Sequence, residues 1–541
     1  MIRTIERHPV SFLLVVCAGL YFFNPGILQV TIMEARNFVV AREMISDSNW
    51  LLTTMNGIAR YEKPPLPAWI ITPFMELGGN NSIAACRLPT SIIATLGPLI
   101  MFLFVRDVSG NGKLALYSSL VLATSFYYVA IRFEAPSDTY THVFMFAAIY
   151  FLFKFLRVRS VNSGFLLLAG LATGLSILSK GPVGPYALLL PFLAAYFFTF
   201  KSPLPAKKFP LLAVFILVAA VTGGSWFLYV RIADPEVFME IVREETGNWS
   251  SYNIRPFYYY WSFFLQSGIW ALPALMSLIY PYIRSRVNEK DLYKLSWIWV
   301  IAGLVLLSAI PEKKTRYIVP LLIPLAVTTA IYLNYLFNNF QNLKKTCEKI
   351  TPRISFGLIG LTGLSFPVLI FFLNIETSRD MFWYLTGCVS FVATGLFILQ
   401  NTISGRFKNA FYLTVLISVL AAGIGVKTVE MMQQNDNYRP FNQFVNREEL
   451  PLYHYYEIDP ETVWEAGEPS LLFDIDSLSS SLPGRFYIIA KTGKVDELKE
   501  ILQEKNLSVE KEEIFDRNYF SPPGSKYYNE RHKIHLILVE S

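Results

Sequence analysis

The sequence has few charges, few histidines and few cysteines. Only 16% of its 541 residues are charged, whereas about a quarter is usual in soluble proteins. There are five histidines and four cysteines, and the cysteines show neither the spacing of metal ligands nor that of a disulfide framework. We therefore interpret Cys17, Cys86, Cys347 and Cys388 as small apolar residues.

Long hydrophobic runs dominate what is present. Hydrophobic residues make up 53% and aromatic residues 15% of the chain, and the mean hydropathy is +0.39. This composition predicts an integral membrane protein whose aromatic side chains gather at the membrane interfaces. The net charge of +6 does not indicate nucleic-acid binding, because the basic residues lie mostly in short loops between apolar segments.

About 13 segments are apolar enough to be membrane-spanning helices, which need roughly 20 residues. They are 10–29, 87–105, 114–131, 139–156, 164–179, 183–200, 210–230, 258–283, 295–310, 317–337, 354–374, 382–401 and 410–428. The apolar run 66–77 is short and flanked by prolines, so we expect a re-entrant or interfacial helix there.

The basic residues orient these spans. With a cytoplasmic N-terminus, every predicted cytoplasmic loop is basic, as the positive-inside rule requires. An odd number of spans then puts the C-terminal tail outside. The basic N-terminus precedes an apolar run without a convincing small-residue cleavage site, so we interpret it as an uncleaved first span.

The composition changes at about residue 430. The tail is rich in Glu, Asp, Lys, Tyr and Asn; its runs RFYIIAK and KIHLILVE predict strands, and VDELKEILQEKN predicts a helix. We expect a transmembrane domain over 1–429 and a small α/β domain on the outer face over 430–541.

A charged loop lies between the first two predicted spans. Its stretch 31–67 reads TIMEARNFVVAREMISDSNWLLTTMNGIARYEKPPLP. Arg36, Val39, Val40 and Glu43 fall at helical spacing, which predicts an amphipathic helix over 34–47. Such a helix between two spans would lie flat at the bilayer surface, so we expect interfacial helices in this first outer loop, 31–86.

Ionisable residues at the predicted outer ends of the spans are the candidate functional residues, because charges at membrane level are costly. These residues, and a tyrosine beside them, are Glu34, Arg36, Glu62, Lys63, Asp138, Lys180, Lys313, Lys314, Arg316 and Tyr317. Lysine and arginine suit a phosphate, and a carboxylate suits a general base that takes a proton from an attacking hydroxyl. The set fits glycosyl transfer from a lipid phosphate, although an anion transporter would have a similar composition.

Each candidate also has a purely structural interpretation. Arg36 and Glu43 would form a surface pair on an interfacial helix, and Glu62 with Lys63 would be turn residues before the Pro-Pro step. The cations at 180 and 313–316 would be interfacial anchors, and Asp138 would cap the helix that follows it. The functional interpretation depends on all of them meeting on one face.

Several blocks, in order, resemble one family. They are EAR-N-x3-AREM, NG-x3-YEKPPLPAW, RLP, an Asp in a short outer loop, SKGPVGP, RPFYYY and KKTRYIVPLLIPLA. The chain from the first span to about residue 335 resembles the ArnT and protein O-mannosyltransferase-like membrane glycosyltransferases, with the ArnT branch the closer match. The resemblance implies the GT-C fold, a polyprenyl-phosphate sugar donor and an inverting transfer at the periplasmic face of a bacterial inner membrane.

The resemblance also carries roles to matching positions. Glu34 and Asp138 are the candidate bases, and Glu62 is a candidate ligand of a divalent metal. The predicted phosphate contacts are Arg36, Lys63, Lys180, Arg316 and Tyr317.

Two departures from the family pattern bear on these roles. Met33 stands where the family commonly has an aspartate, the usual candidate base, so either Glu34 or Asp138 takes that role. The loop 231–257 contains no histidine, although ArnT-like members can supply a metal-ligating histidine there. Glu62 alone is not a metal site, because a metal needs several ligands.

The sequence thus predicts a transferase that moves a sugar from a polyprenyl phosphate to an acceptor. The acceptor is open between lipid A, a protein hydroxyl and a growing polysaccharide, and the sugar is open too. The alternative is a transporter or flippase of a lipid-linked sugar. Transporters place charges near the bilayer midplane and often show inverted repeats, whereas these charges lie at one face and no repeat is visible.

Overall fold

The computed structural model describes residues 2–79, 81–134, 136–157, 163–201, 208–373, 375, 377–432, 435–441, 450–474 and 482–540. Helices dominate the first 430 residues. Those before residue 252 are Ile2–Arg7, Pro9–Tyr21, Ile32–Ser46, Leu66–Gly78, Ile83–Ser109, Gly112–Ala123, Phe126–Glu134, Pro136–Arg157, Ser163–Lys180, Pro185–Leu189, Leu190–Phe200, Phe209–Ala233 and Pro235–Ser251. Those after it are Phe257–Tyr260, Phe263–Trp270, Ala271–Ser277, Tyr280–Arg284, Lys290–Ala309, Thr315–Ile318, Val319–Asn339, Phe340–Asn342, Thr346–Leu364, Phe366–Phe372, Ser378–Ile403, Phe407–Leu420, Ala421–Gly425 and Val426–Glu430.

Many of these helices can cross a membrane, and the chain is a multi-span membrane protein. Within the described ranges, eight helices are long and apolar enough, or up to ten if two bent pairs each form one span. The apolar helices Pro9–Tyr21 and Pro185–Phe200 are shorter. The predicted count of 13 spans stays a prediction, because several predicted segments fold as short or bent helices.

The predicted span 258–283 is the clearest difference from the sequence-based expectation. It forms four short helices between Phe257 and Arg284 instead of one long helix. Gly268 breaks the run with φ +65°, and a Cβ built there would lie 2.6 Å from the Cβ of Phe126. This break requires a residue without a side chain, which apolar composition alone does not reveal.

Aromatic edge-to-face packing joins the helices of the bundle. The ring of Phe104 meets those of Phe146, Phe153, Phe192 and Trp299 with centroids 5.3–6.3 Å apart. Such pairs are preferred for aromatic side chains in a core. The four partners come from three further helices, so this cluster fixes the helix positions on which the site depends.

The helix predicted over 34–47 forms as Ile32–Ser46, which we call the first-loop helix. It is not a helix with one face in water: residues 37–44 are all buried. It packs between helix Leu66–Gly78 and the helix Pro460–Ala466 of the tail. Its buried charges are each hydrogen-bonded: Glu34 pairs with Arg87, Arg42 donates to two backbone carbonyls, and Glu43 accepts from Thr54 and Asn56. These bonds make the burial possible.

The tail forms a five-stranded mixed sheet, which follows in the chain a short hairpin of the first loop, β1 Thr54–Met55 and β2 Ile58–Ala59. The strands of the tail are β3 Leu452–His454, β4 Leu471–Leu472, β5 Arg485–Lys491, β6 Ser508–Asp516 and β7 Lys533–Glu540. They lie side by side in the order β4-β3-β5-β7-β6. The predicted strands RFYIIAK and KIHLILVE are β5 and β7, paired antiparallel, and the predicted helix forms as Val495–Glu504. The small C-terminal α/β region is confirmed, while the domain boundary at 430 stays a prediction.

The tail docks on the first-loop helix through one arginine. Arg42 donates to the carbonyl oxygens of Val463 and Trp464 at 2.8 and 3.0 Å, and its guanidinium lies 5.6 Å from the Trp464 ring centroid. The ring of Phe38 meets Trp464 edge to face at 5.2 Å. The same helix bonds to Ser137 through Asn37, so the tail lies at the Asp138 end of the bundle.

Replacing Arg42 is expected to loosen this docking. Arg42→Gln removes charge-assisted hydrogen bonds to two buried carbonyls, which should cost about 1.5–3 kcal/mol of stability at the contact. Hydrogen–deuterium exchange should become faster in helices Ile32–Ser46 and Pro460–Ala466. The exposed Arg379 offers the control Arg379→Gln; equal protection in both variants would contradict the docking role.

Candidate active site

Asp138 and Lys180 form a buried ion pair at one end of the helix bundle. Asp138 lies in the first turn of helix Pro136–Arg157, and Lys180 is the last residue of the neighbouring helix Ser163–Lys180. The Lys180 Nζ donates directly to Asp138 Oδ1. Their side chains are 1% and 7% exposed, so each charge depends on the other for its solvation.

The turn Thr315–Ile318 brings Tyr317 and Arg316 to this pair. The Lys180 ammonium lies 5.1 Å from the centroid of the Tyr317 ring, a cation–π contact. The charges of Arg316 and Lys63 both act on Lys180. Three predicted phosphate-binding residues, Lys180, Arg316 and Tyr317, therefore lie beside the acid Asp138, and Lys63 lies within electrostatic range of Lys180.

The second oxygen of Asp138 is available. No donor reaches Asp138 Oδ2 among the described residues, although the atom is buried. His142 lies one helical turn away, with its Nε2 3.8 Å from Oδ1. A buried carboxylate oxygen without a donor is costly unless a ligand supplies one.

Lys313 and Lys314 lie in the segment that precedes this turn. Lys314 pairs with Glu312 at 2.6 Å, and Glu312 also accepts a 3.3 Å hydrogen bond from the Tyr317 hydroxyl. Lys313 is buried and donates to the carbonyl of Ile310. The Lys314 ammonium also lies 5.9 Å from the centroid of the Tyr317 ring, so Lys314 borders the site, whereas Lys313 is held by the backbone.

Glu34 has a different setting from Asp138. Arg87 donates two hydrogen bonds to the Glu34 carboxylate, from Nε to Oε1 at 2.7 Å and from Nη2 to Oε2 at 2.9 Å. Glu34 also forms a reciprocal capping box with Thr31 at the start of the first-loop helix. The side chain is fully buried, so both of its oxygens are committed to holding the fold.

Arg36 and Glu62 lie near Arg60, and Lys63 has a different partner. Arg36 and Glu62 both act electrostatically on Arg60, whose pKa burial lowers to about 10. Glu62 is exposed. Lys63 pairs with Glu245 at 3.0 Å, with the two side chains 27% and 42% exposed, and its charge also acts on Lys180.

A metal at Glu62 does not fit these surroundings. Glu62 is exposed and its charged neighbours in the loop are Arg60 and Lys63. Across the part of the chain that the structure describes, no three His, Cys, Asp or Glu side chains come together as a metal site requires. The residues present do not form the metal site that the resemblance implies.

Sequence reasoning did not single out several residues around the site. Arg87 lies in the RLP block, but nothing in that block signals Glu34 as its partner. His142 follows Asp138 at the i+4 spacing of one helix face, a signal that could have been used. Glu43 is not the surface partner of Arg36 that the structural interpretation assumed: it is buried and accepts hydrogen bonds from Thr54 and Asn56. It thereby holds the hairpin of β1 and β2, which leads to Lys63.

Sequence comparison links much of the chain to known proteins. Residues 62–226 match the family described as dolichyl-phosphate-mannose-protein mannosyltransferase. A protein of Aquifex aeolicus is 27% identical over 331 residues, which cover 60% of this chain and 63% of the relative. The undecaprenyl phosphate-alpha-4-amino-4-deoxy-L-arabinose arabinosyl transferase of Aeromonas hydrophila is 24% identical over 364 residues, which cover 64% of this chain and 63% of the relative.

Comparison of folds covers nearly the whole chain. The crystal structure of ArnT from Cupriavidus metallidurans in the apo state matches with a TM-score of 0.70 at 18% identity, covering 98% of this chain and 97% of that one. The chain has the fold of ArnT. The structure of the same ArnT bound to undecaprenyl phosphate matches with a TM-score of 0.69. The predicted resemblance and the predicted membrane fold are confirmed.

The comparisons differ in how far they reach. The ArnT fold extends over the bundle and the C-terminal sheet, whereas the chain spans 63% of the length of each of the two curated relatives. The family match at 62–226 contains Lys63, Asp138 and Lys180. Tyr317 lies beyond that match, and the fold alone brings it to Lys180.

The setting of Glu34 predicts a stability defect. Glu34→Gln keeps a capping side chain but leaves the buried Arg87 without its counter-charge, which should cost about 3–5 kcal/mol. Thermal unfolding of the purified protein measures this cost. The matched control is Glu76→Gln on the exposed face of helix Leu66–Gly78. If the Glu34→Gln protein unfolded at the same temperature as the wild type, the structural role of Glu34 would be contradicted.

Proposed function

We propose that the chain transfers a glycosyl group from a polyprenyl-phosphate-linked sugar to an acceptor, with inversion at the anomeric carbon. The observation that carries this proposal is the buried Asp138–Lys180 pair surrounded by Tyr317, Arg316 and Lys63. An acid beside several cations matches a reaction in which a hydroxyl loses a proton and a phosphate leaves. The family match and the ArnT fold support the same reaction class.

Each group has a defined part in the proposed reaction. An acceptor oxygen attacks the anomeric carbon while the bond from that carbon to the phosphate oxygen breaks. Attack opposite the leaving group gives inversion in a single displacement. The acceptor proton goes to Asp138, and the polyprenyl phosphate leaves as an anion stabilised by Lys63, Lys180 and Arg316, with Tyr317 as a hydrogen-bond donor.

The geometry favours Asp138 over Glu34 as the base. Oδ2 of Asp138 has no donor among the described residues, whereas both oxygens of Glu34 are bonded to Arg87 or Thr31. A base needs a lone pair within reach of the proton that it removes. Arg36 and Glu62 act one step further out, on Arg60, and hold the segment that presents Lys63.

The setting in the cell follows from the same proposal. We place the protein in a bacterial inner membrane with the N-terminus in the cytoplasm, and the site and the C-terminal sheet on the periplasmic side. The acceptor is lipid A, a protein or a glycan. Comparing the lipid A, glycoprotein and surface-glycan profiles of a deletion strain with those of the wild type identifies which one loses a sugar.

Asp138→Asn is expected to abolish most transfer. Loss of a general base lowers turnover by about 10²–10⁴-fold, measured as incorporation of labelled sugar into the acceptor fraction of membranes supplied with a polyprenyl-phosphate sugar. A matched control is Asp107→Asn, because Asp107 also pairs with a helix lysine, Lys154, at 2.8 Å. Lys63→Gln should weaken binding of the donor as well as turnover.

Two outcomes would contradict this assignment. Full transfer by Asp138→Asn would remove Asp138 as the base. Movement of the labelled donor across sealed vesicles by the wild type, without incorporation into any acceptor, would favour a flippase of a lipid-linked sugar over a transferase.

A further inference from the structure

Lys63 has a carboxylate partner in a place where the proposed reaction needs a phosphate. Glu245 Oε2 lies 3.0 Å from Lys63 Nζ. Lys63 is also close enough to Lys180 for their charges to interact. A carboxylate and a phosphate compete for the same ammonium group, because each offers anionic oxygens to its three donors.

The helix that carries Glu245 is anchored mainly near its start. Of the side chains described between 235 and 247, only Phe238 is fully buried, and it lies in a cluster with Tyr61 and Trp226 against which three partly buried side chains of the same helix also pack, Val237, Met239 and Ile241. The second polar anchor is Tyr61, whose hydroxyl donates to Asp234 Oδ2 at 3.0 Å. These apolar contacts lie in the first two turns, whereas residues 242–247 are exposed or partly exposed, so the part of the helix that carries Glu245 opens at low cost.

The anchor at Asp234 lies at a break between two helices. Helix Phe209–Ala233 ends there, helix Pro235–Ser251 begins directly after it, and Asp234 itself has non-helical φ and ψ of −143° and 70°. The second helix can therefore move through changes in φ and ψ at Asp234 alone, while helix Phe209–Ala233 stays in the bundle. The Lys63–Glu245 pair lies three helical turns beyond this break, where it restrains the far part of the helix.

We propose that Glu245 is a positioning residue that occupies Lys63 in place of the donor phosphate, and that a bound polyprenyl phosphate displaces it and frees helix Pro235–Ser251. The inference rests on the proposed function, which puts the donor phosphate on Lys63. Because the pair is partly exposed, it is weak enough for a ligand anion to break. Glu245 thereby sets the affinity for the donor without touching the sugar.

Equilibrium binding of undecaprenyl phosphate to the full-length protein in nanodiscs tests the competition. Glu245→Gln should bind it about two- to fivefold more tightly than the wild type, the range that an exposed ion pair supports. Glu244→Gln, with the same charge change on an exposed neighbour, should bind like the wild type. In a Lys63→Gln background, Glu245→Gln should give no gain, which a merely structural effect of Glu245 would not predict.

Hydrogen–deuterium exchange across 235–251 tests the release. Undecaprenyl phosphate should speed exchange there in the wild type, whereas Glu245→Gln should exchange fast without ligand. Slower exchange on binding, or wild-type affinity in Glu245→Gln, would overturn this inference alone, provided that Lys63→Gln weakens binding. Undiminished binding by Lys63→Gln would instead remove Lys63 from the phosphate site and overturn the proposed function with it.

Discussion

The structure of the site depends on one buried ion pair, between the carboxylate of Asp138 and the ammonium group of Lys180. Neither charge would be tolerated alone at 1% and 7% exposure. Asp138 opens one helix and Lys180 closes the next, and these helices pack side by side, so antiparallel neighbours bring both groups to the same end. One helix contributes the acid, the other the cation, and the free Oδ2 faces no donor in the described chain.

The buried charged side chains of the first loop are all bonded to other parts of the protein, and these bonds hold the loop in place. Glu34 holds Arg87, Arg42 holds the carbonyls of the tail helix, and Glu43 holds a hairpin whose turn residues Asn56 and Gly57 have φ of +57° and +73°. Positive φ at both turn positions suits a tight hairpin. The segment that ends at Lys63 is thus fixed from three sides, so the cation is presented by a scaffold that does not depend on the ligand.

Local sequence patterns predicted many of the helices, strands and candidate site residues, but they did not predict which side chains pair with each other in the fold. The strands RFYIIAK and KIHLILVE were recognisable because each is a compact apolar run in a polar tail. Asp138 and Lys180 were recognisable because charges at the ends of apolar spans are costly, and Tyr317 because it lies beside the cations at 313–316. The sequence could not separate Glu34 from Asp138, since their difference lies in partners 53 and 42 residues away. The first-loop helix was predicted to be amphipathic for the same reason: Glu43 was interpreted as a surface partner of Arg36, because its actual partners, Thr54 and Asn56, are not evident from the sequence.

The link between the first loop and helix Pro235–Ser251 differs in kind from those buried pairs. The loop 231–257 has no histidine, and the described residues offer no group of metal ligands that includes Glu62 and would join this helix to the EKPPLP segment. An ammonium–carboxylate contact, 27% and 42% exposed, holds it instead. Buried pairs such as Glu34–Arg87 resist competition because their groups cannot be resolvated, whereas a partly exposed pair exchanges partners at little cost. The buried pairs therefore hold the fold around Asp138 and the first loop, and the partly exposed Lys63–Glu245 pair is the contact that a competing anion would break most easily.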